Sequence, residues 1–198
     1  EFRRVLFRSS GVLCVADGAG GLPSGGKASE LAINALRSSV KAAAKKAEPL
    51  RSAILDGIEK ANTAVMALGV GAGTTLAVAE IQGPRVRSYH VGDSQIMIIG
   101  QRGKIKLQTM AHSPVGYGVE AGLIKERDAI LHADRNLVSN LVGLPSMHIE
   151  VGPTVELSAM DTLLVASDGL FDNLHTAEIV ETCRKGQLLA ISRSLAEH

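Results

Sequence analysis

Patterned cysteines, a charge imbalance and long apolar runs are all absent from this chain. Cys14 and Cys183 are its two cysteines, and they have neither disulfide nor metal spacing. Cys14 lies inside an apolar run and reads as a small core residue. A reducing, cytoplasmic setting fits this cysteine usage. The net charge is +1, which removes any global electrostatic argument for nucleic acid or membrane partners. No apolar run approaches the roughly 18 residues of a membrane span. Tryptophan is missing too. No Cys-x5-Arg loop offers a thiol nucleophile, and no histidine–cysteine cluster has zinc spacing. No Asp-x-Asp-x-Asp loop suits calcium. The glycine-rich Gly18 to Gly26 stretch lacks the Gly-Lys-Ser/Thr ending of a P-loop, so it reads as a turn.

What the chain has is 198 residues, 45% of them hydrophobic, enough for one sizeable core. Its 21 glycines exceed the usual share of about 7% and fall mostly in loops. Two aspartates stand out. Val12-Leu13-Cys14-Val15-Ala16 leads into Asp17-Gly18, and Leu163-Leu164-Val165-Ala166-Ser167 leads into Asp168-Gly169. Each apolar run reads as a buried strand. Each aspartate is then a carboxylate at the mouth of a rigid core, beside a residue that lets the backbone turn. Hard divalent cations take such oxygen ligands, so Mg2+ or Mn2+ is favoured over zinc.

Between the two tips the periodicity changes. Ala28, Leu31, Ala32, Ala35, Leu36 and Val40 form a helical stripe, with Lys41, Lys45 and Lys46 near its C-terminal end. Pro49 opens a second helix carrying Leu50, Ile54, Ile58, Ala61, Val65 and Leu68. Thr74 to Ile81 with Arg85 to Val91, and Gln95 to Ile99 with Lys104 to Gln108, read as hairpins. Thr109 to Asn136 is irregular, with a short helix near Lys125 to Ile130; connections of that length are often functional. Ile149 to Val151, Thr154 to Leu157 and Thr162 to Ser167 read as strands, and His175 to Arg184 and Gln187 to Ala196 as helices. Short turns between strands imply antiparallel sheets with helices outside them, an α+β layered fold.

Four segments carry the chemistry together: Asp17-Gly18-Ala19-Gly20-Gly21, Gly73-Thr74-Thr75-Leu76, Gly92-Asp93-Ser94 and Asp168-Gly169-Leu170-Phe171-Asp172. In this order, with two helices between the first and second, they resemble the metal-dependent (type 2C, PPM-type) protein serine/threonine phosphatases from about Gly11 to beyond Asn173. The resemblance implies two packed antiparallel sheets flanked by helix pairs, an α-β-β-α sandwich with metals at one end. It implies that Asp17 bridges two ions, the Gly18 carbonyl ligates one, Asp168 binds the second and Asp93 serves a third, weaker site. It further implies Mn2+ or Mg2+ dependence, and hydrolysis of phosphoserine and phosphothreonine in proteins by direct attack of a metal-activated water. No side chain need then act as nucleophile.

The chain departs from the family pattern at both ends. Neither a phosphate-binding arginine strand nor an Asn-Glu-Asp segment precedes Asp17, and no Asp-Asp or Asn-Asp ligand segment follows the last helix. Residues 1–10 have no clean periodicity and read as a non-native or disordered segment. Residues 11–198 are then one incomplete phosphatase-like domain. The missing segments count against activity in the chain as it stands. Gln95 stands where many members have Arg, Ala111-His112 where many have Asp-His, and Ala19 where some have His. No general acid carries over.

Among the other candidates, Asp172 with Asn173 reads as the start of the next helix. Thr74 and Thr75 read as strand residues packed behind the metals. His112, in a glycine-rich loop, is the histidine of most interest, with packing or surface placement favoured over proton transfer. His90 reads as sheet-packed. The alternative function is a non-catalytic domain of this fold that binds or regulates a partner protein. The expected partners are phosphoprotein substrates, for a monomeric, cytoplasmic enzyme of signal transduction without nucleic acid or membrane partners.

Overall fold

The computed structural model describes residues 10–185 and 187–196, and within them seven strands form two antiparallel sheets. The first holds β1 (Ser10–Val15), β2 (Leu76–Gln82), β3 (Arg85–Val91) and β6 (Glu150–Glu156), in the order β1-β2-β3-β6. The second holds β4 (Gln95–Ile99), β5 (Ile105–Gln108) and β7 (Thr162–Ala166), in the order β5-β4-β7. Helices α1 (Gly25–Lys46) and α2 (Leu50–Met66) cover the first sheet. Helices α6 (Thr176–Cys183) and α7 (Leu188–Ala196) cover the second.

Strand periodicity builds these layers. In β2, Leu76 and Val78 pack with Leu36, Ile54 and Ile58 of the helices, while Ala77 and Ala79 face the other sheet. In β4, Met97 and Ile99 pack with Ile179 and Ile191, and Ile96 and Ile98 meet Ala77 and Ala79 between the sheets. The result is the expected α-β-β-α sandwich. Each fully buried isoleucine contributes about 1.5–3 kcal/mol of transfer free energy. The helix pair crosses closely at Gly57, where a Cβ would lie 3.0 Å from the Leu36 Cα.

Three local expectations differ from the structure. The pieces expected at Ile149 to Val151 and Thr154 to Leu157 are one strand, β6, whose pairing with β3 shifts register between Arg87 and Tyr89. Gly152 lies so close to Ser88 that a Cβ there would come within 2.2 Å of its Oγ, and Pro153 is tolerated because β6 is an edge strand. The irregular segment contains α3 (Pro114–Glu120) as well as α4 (Glu126–Ala129). Ser113 Oγ caps α3 by accepting from the Gly116 N–H at 2.9 Å, and Pro114 fills its first position. Gly116 and Gly118 hide that helix from propensity. Of the segment set apart at the N-terminus, Ser10 pairs with Gln82 as the first residue of β1. Residues 1–9 lie outside the described residues.

Candidate active site

Strand direction brings the acidic tips together. β1 runs antiparallel to β2, and β2 to β3, so β1 and β3 end on the same edge of their sheet; Val15 pairs with Ala77, and Leu76 with Val91. Asp17 and Asp93 follow those ends. In the second sheet Gln95 pairs with Ala166, so β7 ends where β4 begins. Asp168 is thus delivered to the same end of the sandwich, as the first residue of the short helix α5 (Asp168–Phe171).

Threonine hydroxyls hold the tips in place. Asp17 N–H donates to Thr75 Oγ1 at 3.1 Å, while Thr75 N–H donates to the Asp17 carbonyl at 2.8 Å. Thr74 Oγ1 donates to that same carbonyl at 2.7 Å. Thr75 Oγ1 also bonds Ser94 Oγ at 2.6 Å, tying the β3–β4 turn to the Asp17 loop. These threonines therefore act through their hydroxyls as well as through their β-branched shape. Gly18 bridges Thr74, with the flanking bonds made by Asp17 and Ala19, so its own carbonyl is left free of that strand. A Cβ on Gly18 would lie 2.2 Å from the Gly25 backbone, so only glycine fits beneath the start of α1.

The electrostatics are those of crowded carboxylates. Burial, then the charge of Asp168, with Asp172 and Asp17 adding, pushes the Asp93 carboxyl up to about 7. Burial and the adjacent Asp17 carboxyl raise Asp168. Burial and Asp168 push Asp172 up to about 6, and Arg135 pulls it back down. Among the described residues none of the four carboxylates belongs to an ion pair. Such a cluster of oxygen donors, short of positive charge, fits hard divalent cations.

Asp172 is a correction. It does not start a helix; it ends α5, four residues after Asp168, and its N–H bonds the Asp168 carbonyl at 2.7 Å. That one turn brings its carboxyl beside Asp168. The i, i+4 spacing within Asp168-Gly169-Leu170-Phe171-Asp172 was the available signal. The cluster opens into a groove of about 320 Å3 between α3–α4 and α5–α6, with Asp93, Asp168 and Asp172 facing Arg135, Glu126 and Val119. Gln95 accepts from Gln108 Nε2 at 3.2 Å, and both line the groove. His112 does not line it, although its neighbours Ala111 and Ser113 do; the ring is 1% exposed. Packing, not proton transfer in the groove, is its place. His90 is buried in β3, as expected.

A model of the protein phosphatase 2C family matches residues 4–193. The chain belongs to the protein phosphatase 2C family. The protein phosphatase PhpP of Streptococcus pneumoniae is 32% identical over 178 residues, covering 85% of this chain and 70% of PhpP. The serine/threonine phosphatase of Streptococcus agalactiae superposes with a TM-score of 0.79 at 30% identity, over 96% of this chain and 81% of that one. The catalytic domain of the serine/threonine protein phosphatase PstP, solved with two manganese ions, gives a TM-score of 0.74 at 27% identity, over 94% and 79% of the two chains. The fold and the serine/threonine phosphatase class expected from the four motifs are thus met. Among the described residues, no helix is long and apolar enough to cross a membrane.

Proposed function

We propose that this protein phosphatase 2C member removes phosphate from phosphoserine and phosphothreonine in proteins, with Mn2+ or Mg2+ held by Asp17, the Gly18 carbonyl, Asp168 and Asp93. The observation that carries this reading is the convergence of acidic side chains without cationic partners at one end of the sandwich, Asp17 beside Asp168 and Asp93 beside Asp168 at the groove, at a cost in self-repulsion that bound cations relieve at neutral pH. A divalent cation bound there lowers the pKa of a coordinated water toward neutrality and offsets charge on phosphoryl oxygens.

The chain's own groups do the rest. Asp17 and Asp168 set the donor geometry from rigid strand ends. Asp93 adds a further carboxylate from its turn. Asp172 concentrates negative charge beside Asp168. Arg135, the one lysine or arginine among the groove-lining residues, attracts the phosphate dianion. The phosphoprotein partner docks in the open groove, and the setting is a cytoplasmic, monomeric signalling enzyme in which the residues from Ser10 onward belong to one incomplete phosphatase domain.

The test is phosphate release from a phosphothreonine peptide with Mn2+ and with chelator. The relatives are longer than this chain, so it is run on the chain and on a version extended at both ends. Asp168→Asn should lower the rate by about a hundredfold or more. Turnover like the wild type in that variant would overturn the assignment. A chain that binds phosphopeptide but never turns over, extended or not, would favour the partner-binding reading.

A further inference from the structure

Behind the groove lie two buried histidines the mechanism does not use. His90 and His112 stack with ring centroids 4.3 Å apart, and the exposed His148 packs tilted against His112 at 4.9 Å. His112 grips Gly92 on two sides: its N–H donates to the Gly92 carbonyl at 3.0 Å, and its Nδ1 accepts from the Gly92 N–H at 3.2 Å. Gly92 has φ +98, and a Cβ there would lie 2.8 Å from the Thr75 side chain, so this turn is strained for any other residue. The next residue is Asp93.

The imidazole is itself oriented. His148 N–H donates to Asn140 Oδ1 at 3.2 Å, and Asn140 Nδ2 donates to the His148 carbonyl at 2.8 Å. That fixes the amide so that Nδ2 faces His112 Nδ1 at 2.9 Å. Nδ1 receives two donors and therefore carries no hydrogen. In the neutral ring Nε2 holds the proton and donates it to Glu150 Oε2 at 3.0 Å.

Ligand atoms of His90, His112 and Glu150 lie within 4.8 Å of one another, a spacing that invites a cation. The geometry argues against one. The lone pair of His112 Nδ1 already receives two donors, and its Nε2 carries the proton given to Glu150, so this ring has no free ligand atom.

We propose that His112 is a positioning residue, oriented by Asn140 and Glu150, whose grip on Gly92 holds the Asp93 carboxylate in register with Asp17 and Asp168. The consequence for metal rests on the reading of Asp93 as a cation ligand given above. Partners of this kind typically change metal affinity by about 10–100-fold when lost.

Four measurements on the full chain test this. First, the imidazole nitrogen spectrum should show His112 as the Nε2–H tautomer; an Nδ1–H tautomer overturns the proposal. Second, two variants separate the ring's edges. His112→Asn keeps an acceptor near the Nδ1 position, whereas His112→Gln keeps polarity only at the far edge. The Gln variant should lose exchange protection at the Gly92 amide and weaken the weakest Mn2+ site in calorimetric titration about tenfold or more; the Asn variant should stay within about threefold of wild type. Equal shifts in both, tracking their melting temperatures, would reduce His112 to packing and overturn the proposal. Third, Glu150→Ala, at a side chain 44% exposed, leaves the core untouched and should give an intermediate loss; wild-type affinity overturns the role of Glu150. Fourth, Asp93→Asn separates the two readings. If it weakens Mn2+ binding while His112→Gln does not, the clamp is wrong. If it leaves Mn2+ binding unchanged, the cation reading of Asp93 is wrong, and the metal consequence of the clamp falls with it.

Discussion

Asp93→Asn removes one charge at nearly constant volume from a buried carboxylate crowded by Asp168, Asp172 and Asp17. The folded protein holds that carboxyl at about 7, against an ordinary 3.8. One pKa unit is about 1.36 kcal/mol, so ionising Asp93 in the metal-free fold costs at most about 4 kcal/mol. The sign follows from linkage. A folded pKa raised above the unfolded one gives stability that is fully present below about pH 4 and is lost as pH rises through about 7. Asparagine cannot lose it. Relaxation and screening take about half of the bound, leaving about 2 kcal/mol, and for a chain of this size 1 kcal/mol shifts the melting temperature by about 2–4 °C. In chelator at pH 8, Asp93→Asn should therefore melt about 4–8 °C above the wild type. At pH 4 the two should nearly coincide. With saturating Mn2+ the order should reverse, because the wild type gains a ligand the variant lacks. The assay is a thermal melt over pH, with chelator and with Mn2+. A variant no more stable than the wild type at pH 8 in chelator, or equally stabilised at pH 4, would refute the reasoning.

Other expectations follow from single contacts. Thr75→Val keeps shape but strips the Asp17 N–H and Ser94 Oγ of a buried partner, and should cost about 1–3 kcal/mol in chemical denaturation. Gly18→Ala forces a Cβ into the Gly25 backbone, so it should lower the melting temperature far more than Gly20→Ala, where a Cβ meets open space. Arg135→Ala should raise KM for phosphopeptide with a smaller effect on kcat, and should raise the Asp172 pKa, read by carboxyl carbon chemical shifts. Burial lowers the pKa of His90 and of His112, so each contributes stability present above about pH 6.5 and lost as pH falls. Replacing His90 by Asn should flatten the stability profile below that pH.

Much of the fold was legible because it is written in local periodicity. The stripes of α1 and α2, the two hairpins and the strand tips at Asp17 and Asp168 each appear within a window of some ten to twenty residues. Residue preferences were less legible where strain or neighbours override them. Helix α3 carries two glycines and is held by the Ser113 cap, and β6 is one strand despite Gly152-Pro153.

From its residues alone the chain set the candidate ligands: acidic side chains at the ends of apolar runs, each beside glycine, with no cysteine or histidine pattern to compete. Whether those carboxylates meet depends on strand direction and register, which are set by pairings between distant segments and so carry no local signature. Only the tertiary structure decided that β1, β3 and β7 end together, that one turn of α5 adds Asp172, and that His112 faces Gly92 and not the groove. Coulomb repulsion among charges far apart in sequence exists only once the fold has brought them close, and that repulsion is the physical basis of the cation site proposed at this end of the sandwich.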